Sequence, residues 1–309
     1  MRLPLRAVSL VAATGLLAAC AQTAADPRST SPSTSLSTAM PTSIPAAKGE
    51  VTALAMVIEE DDGARVCLGG VDESLPPQRD GPNLVGFEWA DVTSDEANGV
   101  EWAEPVRVTG TWDGTTMTLT EPAADEERSD TPVPALPTLC EEPDGGWVRD
   151  PDDVEADDLE AAGRLLDRRS DVLRAHVTYF GPVGDRLRTD AAGVDADGVD
   201  VTPSTIYNVV TTAPAAVKRA LERVWGGGLC VVQGTGRSEA ERRRIHEEIW
   251  RDDATPPGAL SGGAGPKTVE LFVIYDDGSI QRALDAEHGD GAVTVVSALQ
   301  PVGAGSSTG

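Results

Sequence analysis

The dipeptide Asp113-Gly114 lies between two runs of alternating polarity, "PVRVTGTW" before it and "TTMTLT" after it. A two-residue type I′ turn needs positive φ at both central positions, and Asp-Gly is among the few pairs that adopt it, so this stretch predicts a β-hairpin. Pairing outward from the turn sets Trp112 beside Thr115, Gly110 beside Met117 and Val108 beside Leu119. One face of the hairpin is then apolar, while Arg107, Thr109, Thr111, Thr116, Thr118 and Thr120 line the other. That pattern suits a sheet with one wet face or a small barrel. "VTALAMVI" (51–58) and "LVGFEWADV" (84–92) read as further strands, with Trp89, Trp102 and Trp112 as core aromatics.

Beyond residue 121 the character of the chain changes. Residues 122–150 hold Pro122, Pro132, Pro134, Pro137 and Pro143 among acids, which marks a junction. Helices then alternate with strands. "DDVEADDLEAAGRLLDRRS" opens with acids, closes with arginines and carries Leu159, Ala162, Leu165 and Leu166 on one stripe, which predicts a helix. Strands follow in "DVLRAHVTYF" and "STIYNVV", then a helix opened by Pro214, carrying Val217, Leu221 and Val224 and stopped at Gly226-Gly227-Gly228. "LCVVQG" is a strand, and Ser238 with Glu241 forms a capping box for a helix reaching Trp250. A Gly/Pro loop, the strand "TVELFVIYDD", a short helix with Ile280, Ala283 and Leu284, and the strand "AVTVVSAL" follow. The expected fold class is α+β. It comprises an N-terminal β-rich sheet or small barrel (51–121), the junction (122–150), an α+β layer-sandwich domain, ferredoxin-like in outline (151–302), and a tail (303–309).

Arg2 and Arg6 precede an uncharged apolar run from Ala7 to Ala19, too short to span a bilayer, so residues 1–19 read as an export signal. Leu17 fits an A-x-A cleavage site poorly. With Cys20 included, Leu17-Ala18-Ala19-Cys20 resembles the lipobox of bacterial lipoproteins. The resemblance implies diacylglycerol on the Cys20 sulfur, cleavage before it and retention at the membrane. Two acyl chains, at ~0.8 kcal/mol per buried methylene, hold a protein stably where one does not. Residues 20–50 are dominated by Ser, Thr, Pro and Ala, so a disordered stalk is expected, with a root-mean-square span of roughly 30 Å.

The chain carries 51 Asp plus Glu against 25 Lys plus Arg. Loss of Arg2 and Arg6 with the signal leaves 23 basic residues and a formal charge near −28. Such a surface disfavours nucleic acid and is repelled by anionic headgroups. With Cys20 acylated, Cys67, Cys140 and Cys230 remain in an oxidising compartment, and three thiols cannot all pair within one chain.

Several phrases resemble a family of exported actinobacterial lipoproteins without an assigned activity: "CLGGVDESLPPQRDGPNLVGFEWADV", "VTGTWDGTTMTLTEP", "CEEPDGGW", "WGGGLCVV" followed by "RSEAERRRIHEEI", and "DDGSIQRALDAEHGDGAVTVVSALQPV". The family pattern has "PPQC" where Pro76-Pro77-Gln78-Arg79 stands here. The resemblance therefore implies that Cys67 has lost a local partner and that Cys140 pairs with Cys230. A bridge from Cys67 to either of them is the alternative. A bridge closing the roughly 90-residue loop contributes on the order of 3 to 4 kcal/mol.

Motifs that carry chemistry are approached and missed. His246-Glu247-Glu248-Ile249-Trp250 starts like H-E-x-x-H, but Trp250 stands where the second zinc ligand belongs. "GAGPKT" lacks the Gly-Lys step of a phosphate loop, because Pro266 separates Gly265 from Lys267. Asp190, Asp195, Asp197 and Asp200 could gather around calcium, but the spacing fails the helix-loop-helix template and Ser204 falls at its bidentate Glu. Of the three histidines, His176 is expected in the core, and His246 and His288 on solvated helix faces near acids. Arg237, Arg242, Arg243 and Arg244 are expected to pair with Glu239, Glu241, Glu247 and Glu248, with an anionic partner as the alternative.

These observations assign no catalytic residue, metal or cofactor. They point to a lipoprotein held at the extracytoplasmic face of the cell membrane, with a non-enzymatic role in binding an envelope protein or ligand. The alternatives are an envelope hydrolase with His246 or His288 as base, and a calcium-dependent module.

Overall fold

Alternating β-branched and small residues from position 50 onward give Glu50–Glu60 (β1), which turns through Gly63 into Gly63–Cys67 (β2). The computed structural model describes residues 38–60, 63–70, 74–78, 80–127, 136–147, 154–182, 201–251 and 253–303. Asn83–Val85 (β3), Asp95–Ala97 (β4), Val100–Trp112 (β5), Thr116–Leu119 (β6) and Ala124–Asp125 (β7) follow. β1 pairs antiparallel with β2 and β5, β2 with β3, and β6 with β5, while β3 runs parallel to β6. The ring β1-β2-β3-β6-β5 thus closes on itself as a five-stranded mixed barrel, with β4 and β7 added along β5. Closure leaves the inward positions dry: Val51, Ala53, Ala55 and Val57 of β1 meet Val106, Val108, Trp112 and Met117, all buried.

The hairpin register differs from the expected one by two residues. Trp112 pairs with Met117, Thr111 with Thr118 and Gly110 with Leu119. Only Gly114 takes positive φ (104°), so a type I′ turn, which needs two such residues, does not form. The Asp113 carboxylate instead accepts the amides of Thr115 and Thr116, each at 2.8 Å, and the Thr115 hydroxyl at 2.9 Å, closing the three-residue connection from β5 to β6. The Thr116 amide foremost, with those of Thr115, holds this carboxyl below the usual carboxylate range. A slip of two keeps every side chain on its face, so the apolar face survives the error. "LVGFEWADV" is not one strand: Gly86, at φ 84°, ends β3, and Trp89–Asp91 is a single 3₁₀ turn. Trp102 and Trp112 are buried, whereas Trp89 is half-buried and donates to Glu59 Oε2 at 2.8 Å.

Residues 38–48, expected in the stalk, belong to the folded head. Ile44 packs on the barrel core and Met40 on a second core beyond it. Trp112 Nε1 donates to Pro45 O at 2.9 Å, and the Ala47 amide donates to Trp112 O at 3.0 Å. A Cβ on Gly258 would lie 2.8 Å from Ile44 Cγ1, so a bare backbone there admits the side chain. Trp112→Phe keeps the ring's packing and leaves Pro45 O unpaired. A loss of about 1 to 3 kcal/mol is expected in urea denaturation, with faster exchange of the Ala47 amide; unchanged exchange would mean that the indole N–H does not hold this segment.

Among the described residues, the helices and longer strands beyond the barrel repeat one order twice. The first copy is Ala156–Asp167 (α1), Val172–Tyr179 (β8), Thr205–Thr211 (β9), Pro214–Leu221 (α2) and Gly228–Gln233 (β10). The second is Glu239–Ile249 (α3), Ala259–Ala264 (β11), Val269–Val273 (β12), Ser279–His288 (α4) and Val293–Ser297 (β13). In each copy the first strand runs antiparallel to the second, and the second runs parallel to the third across a helix. The matching helices carry Arg219-Ala220-Leu221-Glu222 and Arg282-Ala283-Leu284-Asp285, and each is followed by a Gly-x-Gly step. Each copy buries its own cluster, Tyr207, Val209, Val217 and Leu221 in one and Leu271, Val273, Ile280 and Leu284 in the other. β11 occupies the expected Gly/Pro loop, and Gly262 suits it because a Cβ there would sit 2.8 Å from Glu270 O.

The second copy also closes on the barrel. Ile274, Tyr275 and Leu299 enter the barrel core, and Gln300–Pro301 (β14) pairs with β1. All described residues fall in one compact unit, 37–309. Among them no helix is long and apolar enough to cross a membrane.

Candidate functional site

β8, β9 and β10 bring His176, Asn208 and Cys230 side by side across the first copy's sheet. Period-two alternation turns Tyr207 and Val209 toward α1 and α2, so this polar row lies on the opposite face. Residues 137–140 cross that face as a strap. Leu139 N donates to Asn208 Oδ1 at 2.9 Å, Asn208 Nδ2 donates to Thr178 Oγ1 at 2.9 Å, and the Thr138 and Thr178 hydroxyls lie 2.7 Å apart. His176 Nε2 lies 3.0 Å from Pro137 O. Cys140 and Cys230, the pair that the resemblance implied, are joined by a disulfide with Cα atoms 5.7 Å apart. Cys67 is buried in the barrel region, outside that bridge.

A row of Cys, Asn and His invites comparison with a cysteine nucleophile and its base. The order excludes it: Asn208 stands between the other two, and two strand spacings of about 4.8 Å separate Cys230 from His176. Asn208 is fully buried; its oxygen accepts the strap's Leu139 amide, and its nitrogen donates to Thr178 of β8, whose hydroxyl meets Thr138 of the strap. Its signal in the sequence was a lone amide inside the apolar run "IYNVV".

A second polar centre sits where the two copies meet. Ser238 Oγ accepts the Glu241 amide at 3.1 Å, the cap expected for α3. Arg237 pairs with Glu241 (3.4 Å), Arg243 with Glu239 (3.0 Å) and Arg244 with Glu248 (2.7 Å), as the spacing predicts. Arg242 does otherwise. It is 2% exposed, and its guanidinium donates to three main-chain carbonyls, Gly265 O at 2.8 Å, Arg237 O at 2.6 Å and Leu173 O at 2.7 Å. Leu173 lies at a bulge in β8, without a ladder partner, which leaves its carbonyl for this contact. Burial pulls the Arg242 pKa below its ordinary value, against the opposing pull of Glu239 and Glu241. Its fork binds the first copy to the second, so it is a structural clamp and not part of an open anion site.

The remaining candidates are scattered. His176 is half-buried on the strap face, with Nδ1 buried and unpartnered. His246 lies against Trp250, ring centroids 6.2 Å apart, and Trp250 occupies the missing ligand's place on α3. The His288 side chain, expected in solvent, is 7% exposed, with Glu248 and Glu287 oxygens each 3.9 Å from its ring nitrogens and Arg237 on its carbonyl. These neighbours place charge around the imidazole and bring it no nucleophile. Lys267 is exposed in the β11–β12 turn. Among the described residues no group of three or more His, Cys, Asp or Glu could hold a metal. Cys20, Arg79, Asp190, Asp195, Asp197 and Asp200 lie outside the described residues.

The geometry defines a class, an α+β protein that joins a closed mixed barrel to a disulfide-strapped duplication. No family model matches the chain, and neither a curated protein nor a solved structure matches it.

Proposed function

We propose that this chain is a cell-envelope lipoprotein, anchored through Cys20 at the extracytoplasmic face of the membrane. Its barrel and duplicated region serve in non-enzymatic binding of an envelope protein or ligand. The observation that carries this reading is Leu17-Ala18-Ala19-Cys20, placed directly after a charged and then apolar leader. The packing of Met40 and Ile44 on the head supports a short leash. The 20 residues from Cys20 to Met40 can span at most about 70 Å even fully extended, so the head works close to the bilayer. A mature charge near −28 keeps that acidic head off anionic headgroups, and off nucleic acid.

Fractionation of cells making the wild type and Cys20→Ala tests the reading. The wild type is expected in the membrane fraction with a diacylglyceryl-modified N-terminal Cys20 peptide. Cys20→Ala is expected to lose that modification and the processing that depends on it. Recovery of the wild type in culture fluid with an unmodified first residue would defeat it. Crosslinking from intact membranes then identifies the bound component.

A further inference from the structure

We infer that residues 137–140 are a redox latch, closed by the Cys140–Cys230 disulfide and opened by thiol exchange, that covers the polar row of the first copy's sheet. The strap is held by polar means. Among the described residues its hydrogen bonds are the Leu139 amide on Asn208, the Thr138–Thr178 hydroxyl pair and Pro137 O beside His176. None of residues 136–147 belongs to a hydrophobic cluster of the described residues, and Leu136, the large apolar side chain at its start, is 52% exposed. These three hydrogen bonds, each worth little net of water, do not offset the backbone entropy of holding four residues in place. Segments with few buried apolar contacts open first, so the disulfide is what keeps this one down.

The two sulfurs are unequal. Cys230 is 1% exposed inside β10, whereas Cys140 is partly exposed at the end of the strap. A dithiol reductant therefore attacks the Cys140 sulfur, and Cys230 leaves as a thiolate and takes up a proton. The second thiol of the donor then displaces Cys140 from the mixed disulfide. Two electrons and two protons pass from the dithiol to the protein, which gains two thiols, and the donor ends as a cyclic disulfide. Release uncovers Asn208, whose side-chain oxygen has accepted the main-chain amide of Leu139, and frees the Cys230 thiol beside it. The barrel and the second copy have their own cores and make no use of the bond.

Amide hydrogen exchange on the full mature chain in detergent tests this inference, with and without dithiothreitol and with alkylation to verify reduction. Reduction is expected to raise exchange at residues 138–142 at least tenfold, to change β12 and the barrel strands less than twofold, and to be reversed on reoxidation. Cys140→Ala should show the open pattern without reductant. If that variant fails to fold, the reduced wild type decides. The latch is overturned if the strap stays protected after complete reduction. It is also overturned if β9 and β12 lose protection along with the strap, or if dithiothreitol cannot reduce the bond in the folded chain.

Discussion

Arg242→Met is expected to lower the stability of the folded chain by about 3 to 5 kcal/mol in guanidinium denaturation, the largest effect of any single side chain described above. Methionine fills much of the same space, so the loss comes from the polar end. Three carbonyls, on Leu173, Arg237 and Gly265, are left in a site that is 2% exposed. Each unsatisfied buried acceptor costs about 1 to 3 kcal/mol, partly offset because the charge itself no longer has to be desolvated. Arg242→Lys should fall between, with a loss of about 2 kcal/mol, because an ammonium on a flexible stem reaches fewer of three acceptors placed for a planar fork. A methionine variant within about 1 kcal/mol of wild type would show that water or a local shift satisfies the carbonyls, and the clamp between the two copies would then carry little of the stability.

Removal of both bridged cysteines, as Cys140→Ala with Cys230→Ala, is expected to cost about 4 kcal/mol. In the chain-entropy account the bond matters through the unfolded state, where it closes a loop of 90 residues. Urea denaturation should show a lower midpoint. The slope should rise, because the uncrosslinked unfolded chain is more expanded and exposes more surface. Fully reduced wild-type protein should fall with the double variant. An unchanged midpoint would mean that the bridge adds strain equal to its entropic gain, or that the unfolded chain is already compact around this loop.

Local signals in the sequence were reliable where one residue type has one physical use. Ser238 three residues before Glu241 located the start of α3, Pro214 opened α2, and the acid-to-base gradient identified α1, whose helix, Ala156–Asp167, lies inside the expected stretch 152–170. The faces of the barrel strands were legible because alternation tolerates any even slip, yet for the same reason the register was not, and the Asp113 carboxylate decided it. Residues 38–48 share the composition of a stalk; only Met40 and Ile44 set them apart, and nothing local says that Trp112 waits for Pro45. β11 was hidden by Gly262 and Gly263, poor strand formers, of which Gly262 suits the close approach of Glu270. The arginine run was read correctly for Arg237, Arg243 and Arg244, whose partners are four residues away. Arg242 escaped, since Leu173 and Gly265 are 69 and 23 residues distant in the chain. The repeated element order was not read from the sequence; its trace there is Arg-Ala-Leu followed by an acid, once in each half.

Both ends of the described chain come to β1. Ala47 is hydrogen-bonded to Trp112 just ahead of it, and Val302 donates to Glu50 O at its first residue. β1 is itself flanked by β5 on one side and by β14 and β2 on the other. A mechanical load arriving from the N-terminal end therefore meets antiparallel ladders on both flanks, pulled along their length, so many bonds resist in shear at once. Such a load first meets Met40 and Ile44, which tie the N-terminal segment to the second copy's core and to the barrel core.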